Sequence, residues 1–212
     1  MEIISHRGYW KTPDEKNKTV AFKRSFSLGF GTETDIRDFD GELVISHDIA
    51  NQECISFDDF LNIYKMETGN NRCTLALNIK ADGLQYKAKE ILDKYKVDNY
   101  FFFDMSVPDM LGYFHLGLST FARYSEYESI NSLYDRAEGI WLDGFNQDLV
   151  TVDLLNKFLS SDKKVCIVSP ELHHRNHIES WKKYKTFPYN IINDRNLILC
   201  TDLPEDATEF FL

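Results

Sequence analysis

Short apolar runs alternate along this chain with stretches in which apolar residues recur every three or four positions. The runs predict strands at Glu2–Ser5, Thr32–Ile36, Thr74–Ile79, Tyr100–Phe103, Ser119–Arg123, Gly139–Leu142, Lys164–Val168 and Leu197–Cys200. Between them, Phe22/Phe26, Ala88/Ile91/Leu92/Tyr95 and Val152/Leu155/Phe158/Leu159 fall on single helix faces. Helix starts are signalled by Ser56 before Phe57-Asp58-Asp59, by Pro108-Asp109, and by Thr151 before Val152-Asp153. Eight strands with intervening helices predict an α/β fold, and the natural closure is a (β/α)8 TIM barrel. At 212 residues it would be a small barrel with abbreviated helices, since about 250 is typical. An open doubly wound sheet is the rival arrangement of the same elements. No linker, low-complexity stretch or fixed-period repeat divides the chain, so one domain over residues 1–212 is expected.

The second strand carries an irregularity. It runs on through Arg37-Asp38-Phe39, meets Asp40-Gly41, and is followed by the strand-like Glu42–Ser46 and then His47-Asp48. Asp-Gly between two alternating segments is a strong hairpin signal. A hairpin extension after strand 2 would return His47 close to the point where the strand left the barrel.

Composition narrows the function. Hydrophobic residues at 43% and charged residues at 27% exclude disorder over most of the chain. The excess of 34 acidic over 24 basic side chains, a net charge of −10, makes nucleic acid a poor partner. A small phosphorylated ligand would then need a local positive site. No apolar run nears the roughly 20 residues of a transmembrane segment, and the start of the chain has no signal-peptide pattern. The four cysteines are scattered without a CxxC pair, and Cys166 and Cys200 sit in apolar runs as buried thiols would, which fits a reducing cytoplasm. Nothing in the sequence speaks to oligomeric state.

The candidate chemistry lies at strand ends. Ser5-His6-Arg7-Gly8 closes the first strand, and its glycine permits a sharp bend toward a ligand. Glu33 and Asp35 lie two apart in the second strand, so both carboxylates face the same way. Two like charges on one buried face repel and are costly to desolvate. One divalent cation would relieve both costs, and hard oxygen ligands suit Mg2+ or Ca2+. Asn78 and Lys80 close the third strand and share a face. In a barrel the C-terminal strand ends meet on one rim, where His6, Glu33, Asp35, His47, Asn78 and Lys80 would converge.

The stretch from His6 to Asp48 resembles the glycerophosphodiester phosphodiesterase family and, more loosely, the phosphatidylinositol phospholipase C-like barrels. The resemblance rests on His6-Arg7-Gly8, Asn17 before Thr19 and Ala21-Phe22, Gly29, Glu33-x-Asp35, Asp40-Gly41 and His47-Asp48. It extends through Leu77-Asn78-Ile79-Lys80 and closes with Thr201-Asp202-Leu203-Pro204. It implies a metal-dependent barrel that hydrolyses small phosphodiesters, with His6 and His47 as the acid–base pair. Carried over by position, Glu33 and Asp35 hold the metal, Arg7 binds a phosphate oxygen, and Lys80 adds positive charge. Two positions depart from the family. Asn78 stands where the family has a third, glutamate ligand, and Lys16-Asn17-Lys18-Thr19 replaces the usual Pro-Glu-Asn-Thr. The resemblance also leaves room for a sphingomyelinase D-like lyase or transferase, and Asn78 for a phosphate-binding barrel without turnover.

Other polar residues carry weaker signals. Glu171-Leu172-His173-His174-Arg175-Asn176-His177 lacks the HExxH glutamate and nearby cysteines of a zinc site, and reads as a polar loop in which Glu171 is the best substrate contact. Trp141 and Asp143 share a face at the end of the sixth strand. Trp141 could wall a pocket for a choline or sugar group, with barrel packing as its plainer role. Asp104 and Ser106 end the fourth strand with equal ambiguity, and His115 belongs to a helix.

Overall fold

A computed structural model describes residues 1–69 and 73–211. Among them, nine strands form one sheet: β1 (Glu2–His6), β2 (Gly31–Phe39), β3 (Glu42–Ile45), β4 (Leu75–Ile79), β5 (Tyr100–Phe103), β6 (Phe121–Tyr124), β7 (Gly139–Leu142), β8 (Lys164–Val168) and β9 (Leu197–Thr201). The strand order is β5-β4-β2-β1-β9-β8-β7-β6, with β3 attached only to β2. Except for β5 and β6, which end the order, each barrel strand thus neighbours its successor in sequence, and the order never doubles back as a doubly wound sheet would require. The chain is a small (β/α)8 barrel with a hairpin extension on its second strand. The helices are α1 (Thr19–Ser27), α2 (Phe57–Thr68), α3 (Gln85–Tyr95), α4 (Val107–His115), α5 (Val152–Leu159), α6 (His177–Lys185), α7 (Tyr189–Ile192) and α8 (Pro204–Phe211). Most are two to three turns long.

The described residues fall into two compact units. One comprises Ser5–Thr120. Its strands β2 and β4 pair in parallel, with Asp35 beside Asn78, and β4 pairs with β5. Phe102 of β5 also bridges Thr120 in parallel. Aromatic residues fill the seam between α1 and α2, where Phe22 meets Phe60 edge-on at 4.7 Å and Phe26 meets Tyr64 at 5.2 Å. Ser56 caps α2 by accepting from the Asp59 N–H. The cap of α4 is Ser106, two residues before the Pro108 that the sequence pointed to, and it leaves the proline within the first turn.

The other unit comprises Met1–Ile4 and Phe121–Leu212. Strands β6 to β9 pair in parallel in sequence order. Their core includes Cys166 and Cys200 as buried free thiols, and Trp181, which packs against Phe210 and Phe211. Gly139 has no room for a side chain, because a Cβ there would lie 2.5 Å from the Phe121 ring. No described helix is long and apolar enough to cross a membrane.

Candidate active site

The first unit gathers seven of the residues singled out in the sequence. Strand β1 ends at His6, and the next two residues both take the left-handed conformation, Arg7 at φ +58° and Gly8 at +79°. The bend is locked from two sides. Arg7 N–H donates to Glu33 O at 2.9 Å, and Gly8 N–H donates to Thr32 Oγ1 at 2.9 Å. Only glycine fits at position 8, since a Cβ would come within 2.7 Å of Ala21 Cβ. This turn aims the Arg7 side chain at β2, where its Nε stands 3.1 Å from Asp35 Oδ2.

Alternation along β2 places Glu33 and Asp35 on one face, and both are buried, at 2% and 0% exposure. Lys80 follows β4 and brings its Nζ to 3.2 Å from Asp35 Oδ1. Both cations meet Asp35, whereas Glu33 Oε2 faces the Arg7 backbone N–H at 3.3 Å and lies 3.8 Å from His6 Nε2. The two carboxyls respond in opposite directions. Burial pushes Glu33 up to about 8, with the charge of Asp35 adding to it and that of Asp104 contributing less. Burial acts upward on Asp35 too, but Arg7, Lys80, the Asn17 hydrogen bond and His47 outweigh it and hold Asp35 below its ordinary value.

The hairpin forms as its sequence indicates. Asp40 and Gly41 both have positive φ, at +50° and +77°, and β3 returns antiparallel with Ile45 opposite Ile36. Ser46 N–H donates to the main-chain O of Asp35 at 3.0 Å, so the return stroke ends beside that residue and delivers His47 next to it. The His47 side chain is 44% exposed and its Nδ1 lies 2.9 Å from Asp48 Oδ1. A cavity of about 370 Å3 opens here, lined by Arg7, Asn17, Ser46 and His47, with Lys16 and Lys18 in its wall.

Asn78 sits beside Asp35 in the β2–β4 register, 7% exposed, and its Oδ1 has no hydrogen-bond partner. Oδ1 of Asp35 likewise accepts no hydrogen bond. A buried carbonyl oxygen without a donor is costly to leave so. The side-chain donors of Glu33, Asp35 and Asn78 are all oxygen, and one of the two carboxyls carries a raised affinity for protons. Those features fit a hard divalent cation. Among the described residues no three His, Cys, Asp or Glu side chains cluster as a metal site.

Trp141 and Glu171 lie in the other unit. Trp141 is buried in β7 at 4% exposure. Glu171 is fully engaged: Ser169 and Thr201 hydroxyls donate to its two oxygens at 2.5 Å each, and Asp202 N–H donates at 3.2 Å. His173 and His177 do not pair. His173 Nε2 is 2.6 Å from Asp143 Oδ1, and the His177 ring packs on Trp181. The sequence gives no sign of the Asp143–His173 pair, whose members are 30 positions apart. Nor does it mark Glu126, where burial acts upward but the N–H groups of Glu126 itself, Asn146, Phe145 and Gln147 bring the carboxyl down to about 2.

Comparison with solved structures follows the same line. A candidate glycerophosphodiester phosphodiesterase from Galdieria sulphuraria superposes with a TM-score of 0.76 at 15% identity, over 99% of this chain and 97% of that one. An Oleispira antarctica phosphodiesterase, solved in complex with the product sn-glycerol-3-phosphate, matches with a TM-score of 0.68 at 13% identity, over 99% and 96% of the two chains. The glycerophosphodiester phosphodiesterase of Agrobacterium tumefaciens str. C58 gives 0.67 at 12% identity, over 98% and 99%. The fold is that of the glycerophosphodiester phosphodiesterases. No family model matches the chain, and no curated protein matches it significantly. The glycerophosphodiester phosphodiesterase fold therefore rests on three-dimensional likeness, at identities where the fold alone carries over.

Proposed function

We propose that this protein is a phosphoric diester hydrolase that acts on a glycerophosphodiester or a similar small phosphodiester. The observation that carries the reading is the convergence of His6, Arg7, Glu33, Asp35, His47, Asn78 and Lys80, within one unit, beside an open polar cavity. Phosphodiester cleavage needs charge neutralised on non-bridging oxygens, one group to take a proton from the attacking hydroxyl, and another to protonate the leaving oxygen.

The two histidines suit different ends of that transfer. Nδ1–H of His47 donates to Asp48, which leaves Nε2 with a free lone pair at the cavity, so His47 is the base that takes the proton from the attacking water. His6 is more enclosed, at 13% exposure, and faces Glu33. With His47 assigned as the base, His6 is the acid that returns a proton to the leaving alcohol. Arg7 and Lys80 orient the phosphate through their remaining N–H groups. Glu33, Asp35 and Asn78 would hold one divalent cation, Mg2+ or Ca2+, which supplies electrostatic stabilisation of the phosphoryl oxygens when bound.

A chelated sample assayed for phosphomonoester release from a glycerophosphodiester is expected to regain activity on adding Mg2+ or Ca2+. Absence of release with either ion would reject the reading. Asn78 makes a more specific prediction. With two protein carboxylates instead of three, the ion is held weakly, and Asn78→Glu is expected to tighten its binding about tenfold by calorimetry. Asn78→Asp, which conserves size, is expected to act in the same direction; unchanged affinity in both would remove Asn78 from the ligand set.

A further inference from the structure

Asn17 lies in the loop before α1, 9% exposed, with a left-handed backbone at φ +58°. Asparagine is one of the few residues other than glycine that accept this conformation readily. Three bonds tie it down. Its N–H donates to Arg7 O at 2.9 Å, its Nδ2 donates to Asp35 Oδ2 at 2.8 Å, and its Oδ1 accepts from Thr34 Oγ1 at 2.9 Å. The amide can sit only one way round, because a flip would set Oδ1 against the Asp35 carboxylate and leave the Thr34 hydroxyl facing an NH2 group.

The consequence falls on Asp35. Its Oδ2 is occupied by Asn17 Nδ2 at 2.8 Å and faced by Arg7 Nε at 3.1 Å. Its Oδ1 is faced by Lys80 Nζ at 3.2 Å but accepts no hydrogen bond. Asn17 thus fixes the rotation of the carboxylate and decides which oxygen is presented with a free lone pair. Through Arg7 O it also fixes the bend that aims the Arg7 guanidinium at the same carboxylate. We infer that Asn17 is a positioning residue for cation binding, turning Asp35 so that Oδ1 and not Oδ2 is offered to the ion. This rests on the cation site of the proposed function.

The test is Asn17→Gly, which keeps the left-handed backbone and the N–H while deleting only the amide. Outer-sphere partners of metal ligands are worth about 10–100-fold in affinity. Titration calorimetry with MgCl2 or CaCl2, at a temperature where melting curves show the variant folded, is expected to find the ion bound about 10–100-fold more weakly, with kcat reduced at saturating substrate and KM little changed. A packing role alone would lower the melting temperature and leave ion affinity untouched, and that result overturns the inference. If Asn17→Gly does not fold, Thr34→Val decides the matter. It removes the hydroxyl that holds the amide in place, so weaker ion binding supports the role and wild-type binding overturns it. Should the wild-type protein bind neither ion, the cation site itself is wrong and both readings fall. Should it bind while the variants bind equally well, only the role of Asn17 falls.

Discussion

Replacing His6 or His47 with alanine is expected to lower turnover on the order of 10²–10⁴-fold while leaving the fold intact. Neither ring carries the core. His47 is 44% exposed at the end of the hairpin, and His6 has 13% exposure at the end of β1, so stability is not the route of loss. Because one ring must be unprotonated and the other protonated in the productive state, the rate is expected to follow a bell-shaped pH profile, each alanine variant losing one limb. Full activity in His47→Ala would reduce the hairpin to a structural ornament and leave the proposed base without a holder. The variant Asp48→Asn provides a graded check. Asp48 is 93% exposed, so its bond to His47 is screened by solvent, and losing it is expected to cost less than about tenfold.

The second large effect concerns stability. In the protein stripped of divalent ions, Glu33 titrates near 8 instead of its ordinary 4.5, because burial and Asp35 disfavour its charge. Between those two values the folded state binds a proton that the unfolded state has released. The contribution of Glu33 is therefore fully present below about 4.5 and is lost as pH rises through about 8. Across that window the metal-free protein is expected to lose stability on the order of a few kcal/mol, since a tenfold change in proton affinity corresponds to about 1.4 kcal/mol. Asp35 acts in a separate window. Its pKa is lowered, so its contribution is present above 3.8 and fades as pH falls through its lower folded value. Glu33→Gln is expected to flatten the fall between 4.5 and 8 and to make the metal-free protein more stable than wild type at pH 8. Urea denaturation at several pH values, with chelator present, measures both. An unchanged slope in Glu33→Gln would show that the burden of the buried pair lies elsewhere. The same competition makes divalent binding stronger as pH rises toward 8, with a proton released on binding.

Much of this arrangement is legible in the sequence. Periodicity of two puts Glu33 and Asp35 on one face, and Asp40-Gly41 announces the hairpin that brings His47 back to Asp35. Strand count and order follow from apolar runs that alternate with helical faces, because a closed parallel sheet repeats one local motif. What the sequence withholds depends on rotamers and on approaches between distant segments. Nothing in the spacing of Arg7 and Lys80 says that both meet Asp35 and that Glu33 is left to hold a proton. Asn17 stands out only as part of a broken motif; its grip on Asp35 and Thr34 needs a left-handed backbone within an aperiodic loop, which leaves no periodic trace. The Asp143–His173 pair joins side chains from two separate strand ends and is equally out of reach. Glu171 draws attention by its place just after a strand, yet hydroxyls of Ser169 and Thr201 engage both its oxygens.

The central claim is that His6, His47 and a cation held by Glu33, Asp35 and Asn78 hydrolyse a small phosphodiester. Phosphorus NMR of a glycerophosphodiester incubated with the protein and Mg2+ or Ca2+ tests it most directly. The diester resonance is expected to give way to that of a phosphomonoester, in amounts matching the alcohol released, and to persist when chelator replaces the ion. A lasting cyclic phosphate in place of the monoester, or conversion that continues at full rate under chelation, would contradict the account.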